Sequence, residues 1–80
     1  MKTFEEYHEP KWITFVLVDQ KPKTSVYEVR SKEGNIYLGQ IKWYAPWRCY
    51  SFFPAPDTIF EKKCLGDIVN FINKLMYERK

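Results

Sequence analysis

The chain has 80 residues and a formal net charge of +3, with 45% hydrophobic and 29% charged residues. This length and balance indicate one small globular domain and exclude a disordered chain or two independently stable domains. No apolar run approaches the roughly 20 residues that span a bilayer. The first ten residues also lack the apolar segment of a secretory signal. We therefore expect a cytoplasmic protein that has no membrane partner.

Four short strands are predicted in the first two thirds of the chain. Apolar, β-branched and aromatic residues are concentrated in residues 12–18, 25–30, 36–44 and 48–53, with polar or Pro-containing turns between them. Gly34 and Asn35 tolerate positive φ, which favours a hairpin turn with a bulge before the third strand. We expect residues 1–10 to form an N-terminal arm and residues 11–80 to form a single small domain.

An amphipathic helix is predicted near the C-terminus. The apolar residues there follow helical spacing and predict a helix over about residues 64–77: Leu65, Ile68, Val69, Ile72, Leu75 and Met76. Thr58 and Glu61 have the spacing of a capping box, which would allow an earlier start. The predicted fold is therefore α+β, an antiparallel meander of three or four strands packed against one C-terminal helix.

One helix covers only one face of such a sheet, so the two faces must differ. Alternation along the strands predicts these helix-facing residues: Tyr27, Val29, Tyr37, Ile41, Trp43, Cys49 and Phe53. The opposite face would then carry Arg30, Gln40, Lys42, Tyr44, Arg48, Tyr50 and Phe52. A bulge near Pro46 would exchange the two faces of the fourth strand. The first strand is apolar on both sides and could cover part of the second face.

The residues that usually carry catalysis are sparse. His8 is the only histidine, and no glycine-rich phosphate loop or HExxH motif is present. The two cysteines, Cys49 and Cys64, have no sequence neighbour that would activate them, and together with one histidine they cannot complete a four-ligand zinc site. We expect them to be free, buried thiols, since a cytoplasm disfavours a disulfide. The sequence thus predicts a protein that is not an enzyme, with no catalytic residue, metal or cofactor.

The segment from Lys42 to Tyr50 interleaves cations with aromatic rings, a pattern typical of nucleic-acid contact. The predicted binding residues are Arg30, Lys42, Tyr44, Arg48 and Tyr50. The cations would contact phosphates, and the tyrosines would contact bases or sugars. In the competing interpretation, Trp43, Trp47 and Tyr50 lie in the core, because a small domain needs its large residues there, or clasp the hairpin, with Arg48 stacked over a Trp. On this pattern alone, Trp47 and Phe52 can be either core or exposed.

Several stretches resemble small uncharacterised proteins of phages, prophages and other mobile elements: LGQIKWYAPWRCYSFFP (38–54), DTIF (57–60), CLGDIVNFI (64–72) and Leu75. The order of three strands and a helix is also similar to AP2-type and integrase-arm DNA-binding domains. The first resemblance implies a second functional hypothesis, a mobile-element protein that binds and inhibits a host protein. Such a host protein could be a defence nuclease such as a CRISPR effector, or a DNA-processing enzyme. Homodimerisation through an edge strand or the aromatic face is a third alternative.

Overall fold

The computed structural model describes residues 10–79. Its elements in chain order are β1 (Ile13–Gln20), β2 (Ser25–Ser31), β3 (Tyr37–Tyr44), a 3-10 turn (Ala45–Trp47), β4 (Cys49–Pro54) and α1 (Lys62–Glu78). The strands form one antiparallel sheet in the order β1-β2-β3-β4. This confirms the predicted α+β fold. The arm predicted for residues 1–10 lies outside the described residues except for Pro10, so the division into arm and domain remains a prediction.

The core lies between one face of the sheet and α1. Its buried residues come from all four strands and from the helix: Ile13, Val29, Ile41, Tyr50, Ile68, Phe71 and Leu75. Phe71 is the central helix residue, because its ring stacks on Phe15 with centroids 4.0 Å apart and meets the edge of Tyr27 at 4.9 Å. Each large apolar side chain buried in this way contributes roughly 1.5–3 kcal/mol.

The helix is rotated relative to the predicted apolar stripe. Leu65 and Val69 were expected to face the sheet, but they are exposed, whereas Phe71 is buried. The helix also begins two residues before the predicted start, at Lys62. Glu61 is the N-cap, and its carboxylate accepts hydrogen bonds from the backbone N–H groups of Lys63 and Cys64. The capping-box prediction is wrong, because the Thr58 hydroxyl donates to the Ala55 carbonyl instead.

The turn between β3 and β4 sets the faces of β4. Pro46 lies within the first two residues of a single 3-10 turn, and Arg48 then adopts a left-handed conformation with φ 54°. Its N–H donates to the carbonyl of Ala45 at 3.1 Å. The register that follows pairs Tyr44 with Cys49 and Trp43 with Tyr50. Directly opposite residues share a face, so Tyr50 joins Trp43 on the helix side.

Four predicted face assignments on β4 and one on β3 are therefore wrong. Tyr50 and Phe52 face the helix, and Phe52 packs edge-on against Phe60 at 5.2 Å. Cys49 and Phe53 face away from it, since they pair with Tyr44 and Gln40. The cause is the turn at Pro46, which shifts β4 by one residue relative to continuous alternation. Tyr37 also faces away, because a bulge between Val29 and Arg30 pairs it with Arg30.

None of the helices within residues 10–79 is long and apolar enough to cross a membrane.

Candidate functional site

The face of the sheet opposite α1, here called the open face, carries charged and aromatic side chains from β2, β3 and β4. The strand registers place these residues on it: Glu28, Arg30, Tyr37, Gln40, Lys42, Tyr44, Cys49, Ser51 and Phe53. Their shared orientation follows from Val29 and Ile41, which lie between them along the strands and are fully buried on the helix side. The open face is therefore a mixed surface and not a second hydrophobic layer.

Arg30 is held in place by several neighbours in the β2 half of the open face. Its Nε lies 2.9 Å from Glu28 Oε1, and one terminal nitrogen donates to the Asn35 carbonyl at 2.9 Å. Its guanidinium also lies 5.6 Å from the ring centroid of Tyr37. The ion pair with Glu28 leaves this half of the face close to neutral.

Lys42 lies in the β3–β4 half and has a different environment. Its ammonium is 4.8 Å from the ring centroid of Phe53, which is a cation–π contact. Phe53 in turn meets Tyr44 at 5.9 Å with the two ring planes at 69°. Within the described part of the chain, Lys42 forms no ion pair with a carboxylate, so its positive charge is available to an outside anion.

The turn at Ala45–Trp47 continues this half of the face. Trp47 is 71% exposed, and its ring meets Tyr44 edge-to-face at 4.9 Å. The next residue, Arg48, is exposed, and it forms no ion pair among residues 10–79. Contacts therefore join Lys42, Phe53, Tyr44 and Trp47, and Arg48 follows Trp47 in the chain. These five residues are here called the cation–aromatic cluster.

The predicted binding residues do not all come together. Arg30, Lys42 and Tyr44 lie on the open face, and Arg48 lies on the adjoining turn. Tyr50 does not, because it is buried against the helix side with 6% of its surface exposed. Its hydroxyl accepts a hydrogen bond from the Ser25 N–H at 3.0 Å, and its backbone N–H contacts Met76 Sδ at 3.4 Å. The prediction that Tyr50 is available for binding is wrong.

Two residues of the cluster were missing from the predicted site. Phe53 was assigned to the core, and Trp47 was left between core and surface. The signal that would have identified Trp47 is its position directly after Pro46, since a residue in so tight a turn projects from the end of a hairpin and has few neighbours to bury it.

The cysteines are half-buried free thiols, rather than fully buried as predicted. Burial raises the pKa of the Cys64 thiol, and its hydrogen bond with Glu61 acts in the same direction. Cys49 Sγ lies 3.7 Å from Ser51 Oγ on the open face. Within residues 10–79 no three side chains of the His, Cys, Asp and Glu types come close enough to hold a metal ion.

Comparison with known proteins finds a relative of similar size in a phage. The chain is 45% identical over 58 residues to an uncharacterised 9.3 kDa protein of Acholeplasma phage L2, and the match covers 72% of this chain and 74% of the phage protein. No family model matches the chain. No solved structure matches it either, so the likeness to AP2-type and integrase-arm domains remains a prediction. The match confirms the resemblance to small phage proteins, and the chain belongs to the family of the 9.3 kDa protein of phage L2.

Proposed function

We propose that this protein is a non-enzymatic binding module that contacts nucleic acid through the cation–aromatic cluster of its open face. The observation that carries the proposal is the contact of Lys42 with the Phe53 ring, next to a turn that presents the exposed Trp47 and Arg48. Neither cation has a carboxylate partner among the described residues. Cations beside aromatic rings suit a ligand that combines phosphates with flat bases.

The charge distribution favours the β3–β4 half of the open face, rather than the β2 half, as the place where nucleic acid would bind. Arg30 is already paired with Glu28, so its contribution to an anionic ligand is reduced. Lys42 and Arg48 have no ion pair within residues 10–79, so they can neutralise phosphates at this half of the face. Binding that rests on such contacts releases counterions and weakens as salt is added.

The test is a fluorescence-anisotropy titration of a labelled oligonucleotide at several salt concentrations. We expect binding at low salt that weakens linearly on a log–log plot. Lys42→Gln and Arg48→Ala should each weaken binding and reduce the salt slope by about 0.7–1 for each phosphate that the variant no longer neutralises. Lys23→Gln is the matched control, because Lys23 is exposed in the turn between β1 and β2, outside the cluster. No binding at low salt, or an equal weakening in the control, contradicts the proposal.

A second candidate is a phage protein that binds and inhibits a host protein. The observation that favours it is the exposed Trp47, whose ring contacts Tyr44 and which Arg48 follows in the chain, since Trp, Tyr and Arg dominate the binding energy of protein interfaces. Its test is capture from nuclease-treated host lysate at moderate salt. A partner retained by the wild type and by Trp12→Phe but absent with Trp47→Ala supports this candidate. A partner retained by all three proteins does not.

A further inference from the structure

We infer that the open face binds single-stranded rather than double-helical nucleic acid, with Trp47 as the stacking platform. The inference rests on the proposed function and deepens it. The exposure of the Trp47 ring and the uneven charge of the open face support it, and the width of the sheet limits how a duplex could bind.

The sheet is too wide to read a duplex with its whole face. Four strands at about 4.8 Å spacing span about 14 Å from β1 to β4 before any side chain is added. The major groove of B-DNA is about 12 Å wide and admits a two-stranded ribbon. The β3–β4 hairpin alone is narrow enough for the groove, so the width argues only against a duplex that contacts all four strands. A ligand without a second strand has no groove to fit.

The Trp47 ring is placed to stack on an unpaired base. Its contact with Tyr44 is edge-to-face, with the ring planes at 83°, and such a contact covers at most one face of the indole. With 71% of the residue exposed, the other face is open. Bases inside a duplex are already stacked on both sides, whereas an unpaired base gains about 1–3 kcal/mol from an aromatic platform. At about 0.59 kcal/mol for RT, this corresponds to roughly 5- to 150-fold in affinity.

Charge confines the ligand to one half of the face. Lys42 and Arg48 lie along the β3–β4 hairpin, while the Glu28 carboxylate lies on β2, opposite Gln40 of β3. Glu28 is paired with Arg30, so a duplex lying across the sheet would place phosphates over a half of the face that offers no unpaired cation among the described residues. A single strand that follows the hairpin contacts both cations and passes beside Glu28 rather than over it.

The experiment compares one labelled, mixed-sequence oligonucleotide of about twenty nucleotides, longer than the usual site for one small domain, with the duplex formed with its complement. We expect the single strand to bind at least tenfold more tightly. Equal or tighter binding of the duplex overturns this inference and leaves the proposed function standing, whereas binding of neither overturns both. The titration is run with DNA and with RNA, and a preference for the single strand in either supports the inference.

The role of Trp47 has its own measurement. Trp47→Ala should weaken single-strand binding about 5- to 150-fold, while Trp12→Phe should leave it unchanged, because Trp12 is exposed but precedes β1 and lies outside the cluster. Stacking should quench tryptophan fluorescence in the wild type and in Trp12→Phe, and much less in Trp47→Phe. Circular dichroism confirms that each variant is folded. Wild-type affinity in folded Trp47→Ala overturns the inference.

Discussion

The hydroxyl of Tyr50 accepts a hydrogen bond from the backbone N–H of Ser25, 3.0 Å away, and so connects β4 to the beginning of β2 on the helix side of the sheet. These strands are not neighbours, because β3 lies between them. The Tyr50 side chain therefore reaches past β3. On the way its ring contacts that of Trp43, with the ring centroids 5.5 Å apart and the ring planes at 82°. Tyr50 therefore has a structural role that its place in a cationic, aromatic segment conceals.

Tyr50→Phe tests this role. The substitution keeps the ring but leaves the N–H of Ser25 without its partner, and we expect the free energy of unfolding to fall by about 0.5–1.5 kcal/mol. Urea denaturation followed by circular dichroism measures it. Tyr44→Phe is the control, since the structure shows no hydrogen bond of the Tyr44 hydroxyl within residues 10–79. Oligonucleotide binding by folded Tyr50→Phe should match the wild type, and a large decrease would restore Tyr50 to the binding site.

The wrong prediction for Tyr50 shows that the sequence does not determine on which face of the sheet each β4 residue lies. On β3, Ile41 and Trp43 alternate with the polar Gln40 and Lys42, so their faces follow from local pattern. On β4 both faces carry aromatic residues, so hydrophobicity does not distinguish them. The left-handed conformation of Arg48 decides the register, and nothing in the residue type of Arg48 predicts that conformation.

The rotation of α1 has a similar cause. The apolar residues from Leu65 to Met76 have helical spacing, but Phe71 lies next to the stripe that they form. When an apolar stripe is this wide, the helix can turn more than one side of it towards the sheet. The centre is set by Phe15 and Tyr27, which contact Phe71 from strands more than forty residues earlier in the chain. The helix itself could therefore be predicted from local pattern, whereas its buried side required the long-range contacts.

Phe71→Ala and Val69→Ala form a matched pair that measures this rotation. Phe71 is buried against two rings, so its truncation should cost about 3–5 kcal/mol, enough to unfold much of a domain of this size. Val69 is 54% exposed on the same helix, and its truncation should change stability by no more than about 0.5 kcal/mol. Thermal unfolding of the two variants makes the comparison. Similar destabilisation in both would place the core on a different side of the helix.

Gly39 and Gly66 should respond to alanine in opposite directions. A Cβ at Gly39 would lie 2.6 Å from the Phe53 carbonyl oxygen, and its φ of +150° is one that other residues rarely adopt. Gly39→Ala should therefore destabilise β3 and β4 strongly. Gly66 lies inside α1 with nothing within 4 Å of the added methyl, so Gly66→Ala should stabilise the protein by about 0.5–1 kcal/mol. Chemical denaturation of both variants tests the pair, and a stable Gly39→Ala would contradict the close approach of β3 and β4.

Glu61→Gln should make the stability of the protein less dependent on pH in the acid range. The backbone N–H of Lys63, with help from that of Cys64, lowers the pKa of Glu61 below its ordinary 4.5. Folding therefore favours the ionised carboxylate. Its stabilising effect is complete above about pH 4.5 and is lost as the pH falls through the lower folded-state pKa. Urea midpoints of the wild type and variant should differ near neutral pH and converge in acid. If the two urea midpoints differed by the same amount at every pH, the charge of the Glu61 carboxylate would not be what stabilises the N-terminus of α1.

Cys64 should react slowly with alkylating reagents in the folded protein. Burial is the main reason that its pKa lies above the ordinary 9.0, and the hydrogen bond and negative charge of Glu61 add to the effect. A Cys49→Ser variant leaves Cys64 as the one thiol that can react. Because the thiolate is the reactive form, its alkylation rate should rise with pH and reach half of its maximum above pH 9.0. Adding Glu61→Gln should lower that midpoint and speed the reaction near neutral pH, since the carboxylate no longer opposes the thiolate. The pH midpoint for alkylation of the same variant in urea is the reference. A folded-state midpoint at or below this reference midpoint would contradict the placement of the Cys64 thiol beside Glu61.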